Sequence, residues 1–245
     1  MVSRAELTVL LDELMTEANH LYIREVPGAS HLTDEQPLDP TYYLRHRIET
    51  IKRIRMTAKT DATALASMVD EDYDAARLWA RYACEELDHD RLFYVDLERH
   101  GVSRAMIDGT PPFAATLRLG DYLRRRIEAH GAIAAVAYSI FVEWNSERFS
   151  WAAVEKARQT FGEDYVEGSS SHLAVDEDQD HYDIMLDIAA RLVQAPGAEA
   201  TLRADILAIA ELFRDYFREL YEFASREATQ NTREAVAHAA VPVAA

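Results

Sequence analysis

Glycine and proline, the residues that most often end a helix, stand at the joints of this chain. Between them, apolar residues recur at spacings of three and four rather than alternating. That pattern predicts an all-α protein. A first helix opens on Ser3 and Glu6 as a capping box and runs toward Tyr22, and the loop "VPGASHLTDEQPLDP" follows it. A second begins in "TYYLRHRIETIKRIRMTAKTDATALASM", and a third spans about Asp72 to His100, with Gly101 just past its end. After the "DGTPPF" loop, "AATLRLGDYLRRRIEAH" stops at Gly131, and "AIAAVAYSIFVEWNSERFSWAAVEKARQTF" stops at Gly162. Another helix covers about Ser170 to Val193, and a long last one follows "APGAEA" to about Ala228. Neither a repeat nor a linker marks a boundary, so seven to eight helices should pack as one bundle over residues 1–230, with a flexible tail over 231–245.

Charge narrows the partners. Lysine and arginine number 26 against 43 aspartates and glutamates, a net charge of −17, so a phosphate backbone is repelled and nucleic acid is excluded as a partner. The N-terminal segment is amphipathic and broken by Glu6, Asp12 and Glu13, unlike a signal peptide, and no run approaches the ~18 apolar residues of a membrane span. Cys84 is the single cysteine, so no internal disulfide forms. These features predict a cytoplasmic protein that acts on a small molecule without nucleic acid or membrane; a homodimer is allowed but not demanded.

Three segments carry unexpected polarity. On the third helix Ala75, Trp79, Tyr82, Glu86, His89 and Phe93 form one stripe, in which Glu86 and His89 interrupt an apolar face one turn apart. Such a pair is usually a surface or ion-paired feature; Glu85, four residues before His89, is an alternate carboxylate. The run "AIAAVAYSIFVEW" is apolar almost all round, so Glu143 within it needs a metal or an arginine such as Arg124, Arg125 or Arg126. The stretch "SHLAVDEDQDHYD" would by itself be a solvated acidic face. On a regular helix His172, Asp176, Gln179 and Asp183 share a side, whereas His181 lies roughly 180° from His172. Both histidines can face one way only if the helix bulges or breaks between Asp176 and His181. Taken jointly, the three segments point to a metal. Oxygen and nitrogen donors without thiolate favour iron or manganese over structural zinc, and six donors suit a two-metal carboxylate site.

The order and spacing of "EELDHDRLFYVDLERHGVS", Glu143 in its apolar helix and "YVEGSSSHLAVDEDQDH", over roughly Asp72 to Ala190, resemble the haem-oxygenase-like di-iron oxidases and oxygenases. The resemblance implies an all-α haem-oxygenase-like fold, two Fe(II) ions held by three histidines and three carboxylates, and O₂ as co-substrate. It implies Glu86, His89 and Glu143 as ligands. The family's last motif reads His-x-x-x-Asp-x-x-His; here His172 and Asp176 match its first two places with Gln179 at the third, while Asp178 and His181 match the last two with Ala174 at the first. The ligand set is therefore Glu86, His89, Glu143, His172, Asp176 and His181, with Glu85 and Asp178 as alternates. Where some members carry a carboxylate seven residues before the first histidine, this chain has Tyr82. The implied activity is oxidation of a small amine, amino acid or carboxylic acid in specialised biosynthesis, by N-oxygenation, desaturation or C–C cleavage. The alternative is a thiaminase-like hydrolase, with Cys84 as the available nucleophile, or a cofactor-free oxidase of the same fold. Haem is disfavoured, because His20 and His46 read as exposed.

Overall fold

The structure, a computed structural model, describes residues 2–239, except for the side chains of residues 176–179 and 231–239. Its elements are α1 (Arg4–Glu25), α2 (Pro40–Glu71), α3 (Tyr73–Arg99), α4 (Arg104–Gly109), α5 (Ala114–His130), α6 (Ile133–Asn145), α7 (Trp151–Phe161), α8 (Glu167–Gln179), α9 (His181–Leu192) and α10 (Ala198–Ala239). A π-helical turn, Ser146–Ser150, joins α6 to α7, and a 3₁₀ turn, Glu163–Tyr165, follows α7. No strand occurs among the described residues. The all-α class agrees with the sequence. Residues 231–239 of the expected tail continue the backbone of α10, and 240–245 lie outside the described residues.

Local chemistry explains the helix ends. Ser3 and Glu6 form the capping box that opens α1. Asp39 accepts from the Thr41 and Tyr42 N–H groups, with Pro40 pre-set at the first helical position of α2, and Asp72 accepts from the Ala75 N–H at the start of α3. Gly101, at φ +81°, follows α3 where a side chain would be strained.

The core forms around α6, in which every residue from Ile133 to Ile140 is buried. Packed there are Leu7, Leu11 and Met15 of α1, Trp79 of α3, Met185 and Ile188 of α9, and Leu202, Ile206 and Ile209 of α10. Buried polar groups lock the frame. Asp205 of α10 accepts from the Tyr122 hydroxyl at 2.5 Å and the Arg126 Nε–H at 2.6 Å on α5. Glu219 of α10 accepts from the Ala114 and Ala115 N–H groups at the start of α5, where the helix dipole also favours its charge.

Two details depart from the sequence reading. The short helix α4, in a stretch to which the sequence reading assigns no helix, is capped by Ser103 and anchored by buried Ile107. The expected helix over 170–193 is two helices, because Asp180 adopts the left-handed conformation, φ 53° and ψ 50°. Aspartate enters that region more readily than most residues, since its short polar side chain can bond locally.

Candidate metal centre

The stripe on α3 is built as its spacing demands: Ala75, Trp79, Tyr82, His89 and Phe93 are buried, and Glu86 is partly so. Along α6 the same logic buries Glu143, only 6 % exposed. The arginines that could have paired with it are committed elsewhere: Arg124 to Asp121 and Glu128, Arg125 to Asp121, and Arg126 to Asp205. One turn beyond Glu143 the chain widens into the π-helical turn, a distortion common at functional sites.

The approach of α8 to α3 sets the third segment. A β-carbon on Gly168 would lie 2.0 Å from the Leu92 carbonyl oxygen, so only glycine permits the contact. Beside it, buried Asp96 accepts from the Gly168 N–H at 2.7 Å, the Ser169 N–H at 2.8 Å and the Ser169 hydroxyl at 2.7 Å, capping α8 from a neighbouring helix. One turn on, the His172 ring lies tilted against that of His89, with centroids 4.2 Å apart, and meets Phe93 at 5.1 Å. The break at Asp180 then starts α9 on a new axis, and His181, 1 % exposed, turns inward instead of opposite His172.

All the described candidate side chains meet. Glu86, Glu143 and His181 offer donor atoms within 4.8 Å of one another. His181 Nδ1 is 3.5 Å from Glu86 Oε1 and 4.0 Å from Glu143 Oε1, while its Nε2 lies 3.1 Å from Glu85 Oε2. His89 Nδ1 is 3.2 Å from Glu86 Oε2, and the His89 and His181 rings stack at 6.2 Å. The side chains of Asp176 and Asp178 lie outside the described residues. Asp183, which shares a face with His172 on an unbroken helix, instead pairs with Arg4 at the surface.

Tyr82 donates its hydroxyl proton to Glu143 Oε1 at 2.9 Å and meets His181 edge-on at 5.1 Å. Burial, and then the charges of Glu143 and Glu86, hold the phenol well above its ordinary pKa, so it remains a donor. This donor set of carboxylates and imidazoles without thiolate fits a hard or borderline divalent cation such as iron or manganese.

A cavity of about 360 Å³ reaches the cluster at Glu86, Glu143 and His172. One wall is polar and comes from α2: His46, Thr50, Arg53, Thr57 and Asp61, at helical spacing. None of these is in the expected ligand set, yet the stripe continues into buried Ala64 and Met68, a register that marks the face as inward. His46, expected to be exposed, is corrected: it lies in this wall with its Nδ1 2.8 Å from the Tyr216 hydroxyl, and burial drives it well below its ordinary pKa. His20 is exposed, as expected. Asp61 is pushed up to about 8 by burial and then by the Glu86 charge. A second cavity of about 240 Å³ lies across Glu143, beside His181 and Asp180. Cys84 is exposed and lines neither cavity.

No protein-family model matches the chain, and no curated protein sequence does. Among solved structures, a domain of unknown function with a haem oxygenase-like fold from Shewanella denitrificans is similar over 88 % of this chain and 92 % of its own, at 16 % identity and a TM-score of 0.73. No helix among the described residues is long and apolar enough to cross a membrane. The chain therefore has the haem oxygenase-like fold.

Proposed function

We propose that this protein is a non-haem di-iron oxidoreductase that uses O₂ to oxidise a small amine, amino acid or carboxylic acid, by N-oxygenation, desaturation or C–C cleavage. The observation that carries the reading is the convergence of Glu86, Glu143 and His181, with His89 and His172 alongside, where Glu86, Glu143 and His172 reach the wall of a cavity. Two irons would be held by Glu86, His89, Glu143, His172, Asp176 and His181, with Glu85 and Asp178 as alternates. Ferrous iron, when bound, supplies the electrons and the O₂ reactivity that amino-acid side chains lack.

The chain's own groups do the rest. Tyr82 fixes the orientation of the Glu143 carboxylate through its donated hydrogen bond. Asp96 and Gly168 hold α8 at the depth that brings His172 against His89. Phe141, Val142, Phe213 and Phe217 line the cavity and make its wall largely apolar. At neutral pH the Asp61 carboxyl holds a proton at the cavity wall. A hydrolase using Cys84 has less support, since that thiol is exposed and away from the cavity.

Anaerobic reconstitution with ferrous iron followed by elemental analysis tests the reading. Wild type should take up to ~2 irons per chain, as two-metal carboxylate sites do, and Glu143→Ala and His181→Ala should each hold less. Equal, low iron in wild type and Glu143→Ala would overturn the site, and turnover that persists under strict anaerobiosis would overturn the oxidase.

A further inference from the structure

The α2 wall of the main cavity carries two arginines, Arg47 and Arg53. Arg53 is 8 % exposed and lines the cavity, and its Nη1 has no hydrogen-bond partner among the described residues. Its direct contacts are with uncharged groups: Nη2 donates to the Thr50 hydroxyl at 3.1 Å, and the guanidinium lies 4.4 Å from the Tyr216 ring centroid and 5.6 Å from that of Phe213, with the Tyr216 hydroxyl and, at longer range, Glu49 favouring its charge. Glu49, one turn before it, is fully engaged. Its Oε1 accepts from Arg45 at 2.6 Å and the Phe113 N–H at 2.9 Å, and its Oε2 from the Thr116 hydroxyl at 2.5 Å. Asp61 lies eight residues further along the helix, about 12 Å by its rise. Arg47, also in the cavity wall, sits between the rings of Tyr43 at 5.1 Å and Phe93 at 5.3 Å, and its Nε has no hydrogen-bond partner among the described residues. No carboxylate pairs with Arg47 or Arg53 among the described residues.

A buried guanidinium without an anion is costly, and rings compensate for it only in part. Its planar fork matches a carboxylate in two parallel hydrogen bonds, a geometry an amine or an alcohol cannot supply. Facing it are apolar side chains, Phe141, Val142, Phe149 and Phe217 among them. The cavity volume is at the small end for ligand sites.

We infer that the cavity binds a small monocarboxylic acid with an apolar body, its carboxylate held by Arg53 on α2 and its hydrocarbon part lying along the aromatic wall toward Glu86, Glu143 and His172. The inference rests on the reading of this cavity as the substrate site and selects the acids from the classes proposed above. Arg53 is a substrate-binding and specificity-determining residue, remote in sequence from every proposed metal ligand. Arg47, which shares the Phe93 contact with His172, extends the positive wall toward the cluster.

The test is calorimetric titration of the full chain, reconstituted anaerobically with ferrous iron, with hexanoate, octanoate, decanoate and 3-phenylpropanoate and with the four corresponding alcohols. At least one acid should bind, with its alcohol weaker by about tenfold or more, as expected when a charge-assisted fork loses its anion. Arg53→Met should weaken the acid about 10- to 100-fold and leave the alcohol within about threefold. Arg53→Lys keeps the charge without the fork and should fall between; it also serves if the methionine variant fails to fold. No binding by any acid, equal binding of acid and alcohol, or acid binding unchanged in both variants would overturn the inference. Iron content of the same samples separates the two readings. A wild type that holds no iron yet discriminates through Arg53 loses the di-iron centre and keeps the acid site, whereas iron without discrimination does the reverse.

Discussion

Asp61 shows how one buried side chain ties stability to pH. Burial, reinforced by Glu86, raises its carboxyl from an ordinary 3.8 to about 8, so the folded state keeps a proton that the unfolded chain releases. The contribution is fully present below the unfolded value and is lost as pH rises through the folded one. Wild type should therefore lose stability relative to Asp61→Asn between about pH 5 and 8, by at most ~1.4 kcal/mol per pH unit. Urea unfolding of both proteins across that range checks it, and a constant difference would show that Asp61 is ionised throughout. This residue, like Arg53 and His46, escapes a sequence reading because α2 is rich in charge on every side, as "RHRIETIKRIR" shows. The signal lies further along, where the polar stripe runs into Ala64 and Met68, which are fully buried.

At the scale of elements, the contact of α8 with α3 is the tightest support of the site. Gly168→Ala would push a methyl group against the backbone of Leu92, which cannot rotate away. The variant should lose about 1–3 kcal/mol, the usual cost of overpacking, and should hold less iron as His172 moves off His89. Thermal unfolding and elemental analysis check the two effects, and an unchanged melting temperature would mean that α8 can shift freely. The helices themselves are largely visible in the sequence. The capping box of α1, the stripe of α3 and the all-round apolarity of α6 each follow from spacing, and the last of these isolates Glu143. The break between α8 and α9 is visible only in part: the two histidines require a bulge or break between Asp176 and His181, where it is found, but do not say which residue makes it. Nothing in "DEDQDHYD" distinguishes the one aspartate that turns left-handed from its neighbours, because packing of α9 against α6, not local propensity, rewards the turn.

Across the whole molecule, the cluster draws on α3, α6 and α9, with His172 of α8 beside it, so a bound cation would clamp at least three helices at once. Ferrous iron at about a hundred times its dissociation constant should add ~2.7 kcal/mol by mass action. For a chain of this size that corresponds to roughly 5–10 °C in melting temperature. Anaerobic calorimetry with and without a chelator measures the shift, and identical melting temperatures would argue against any tight site. The contributing residues are far apart in the chain: His181 and Glu85 meet across 96 positions, and Tyr82 and Glu143 across 61. Closing such a span costs little more than closing a short one, since loop entropy grows only with the logarithm of length. Order of synthesis is the stronger constraint. A ribosome that has released the chain only through α6 has delivered Glu85, Glu86, His89 and Glu143, but one imidazole out of three. Until α8 and α9 have emerged the nascent chain offers only one of the cluster's three imidazoles, so a closed cluster is a marker that α9 has docked.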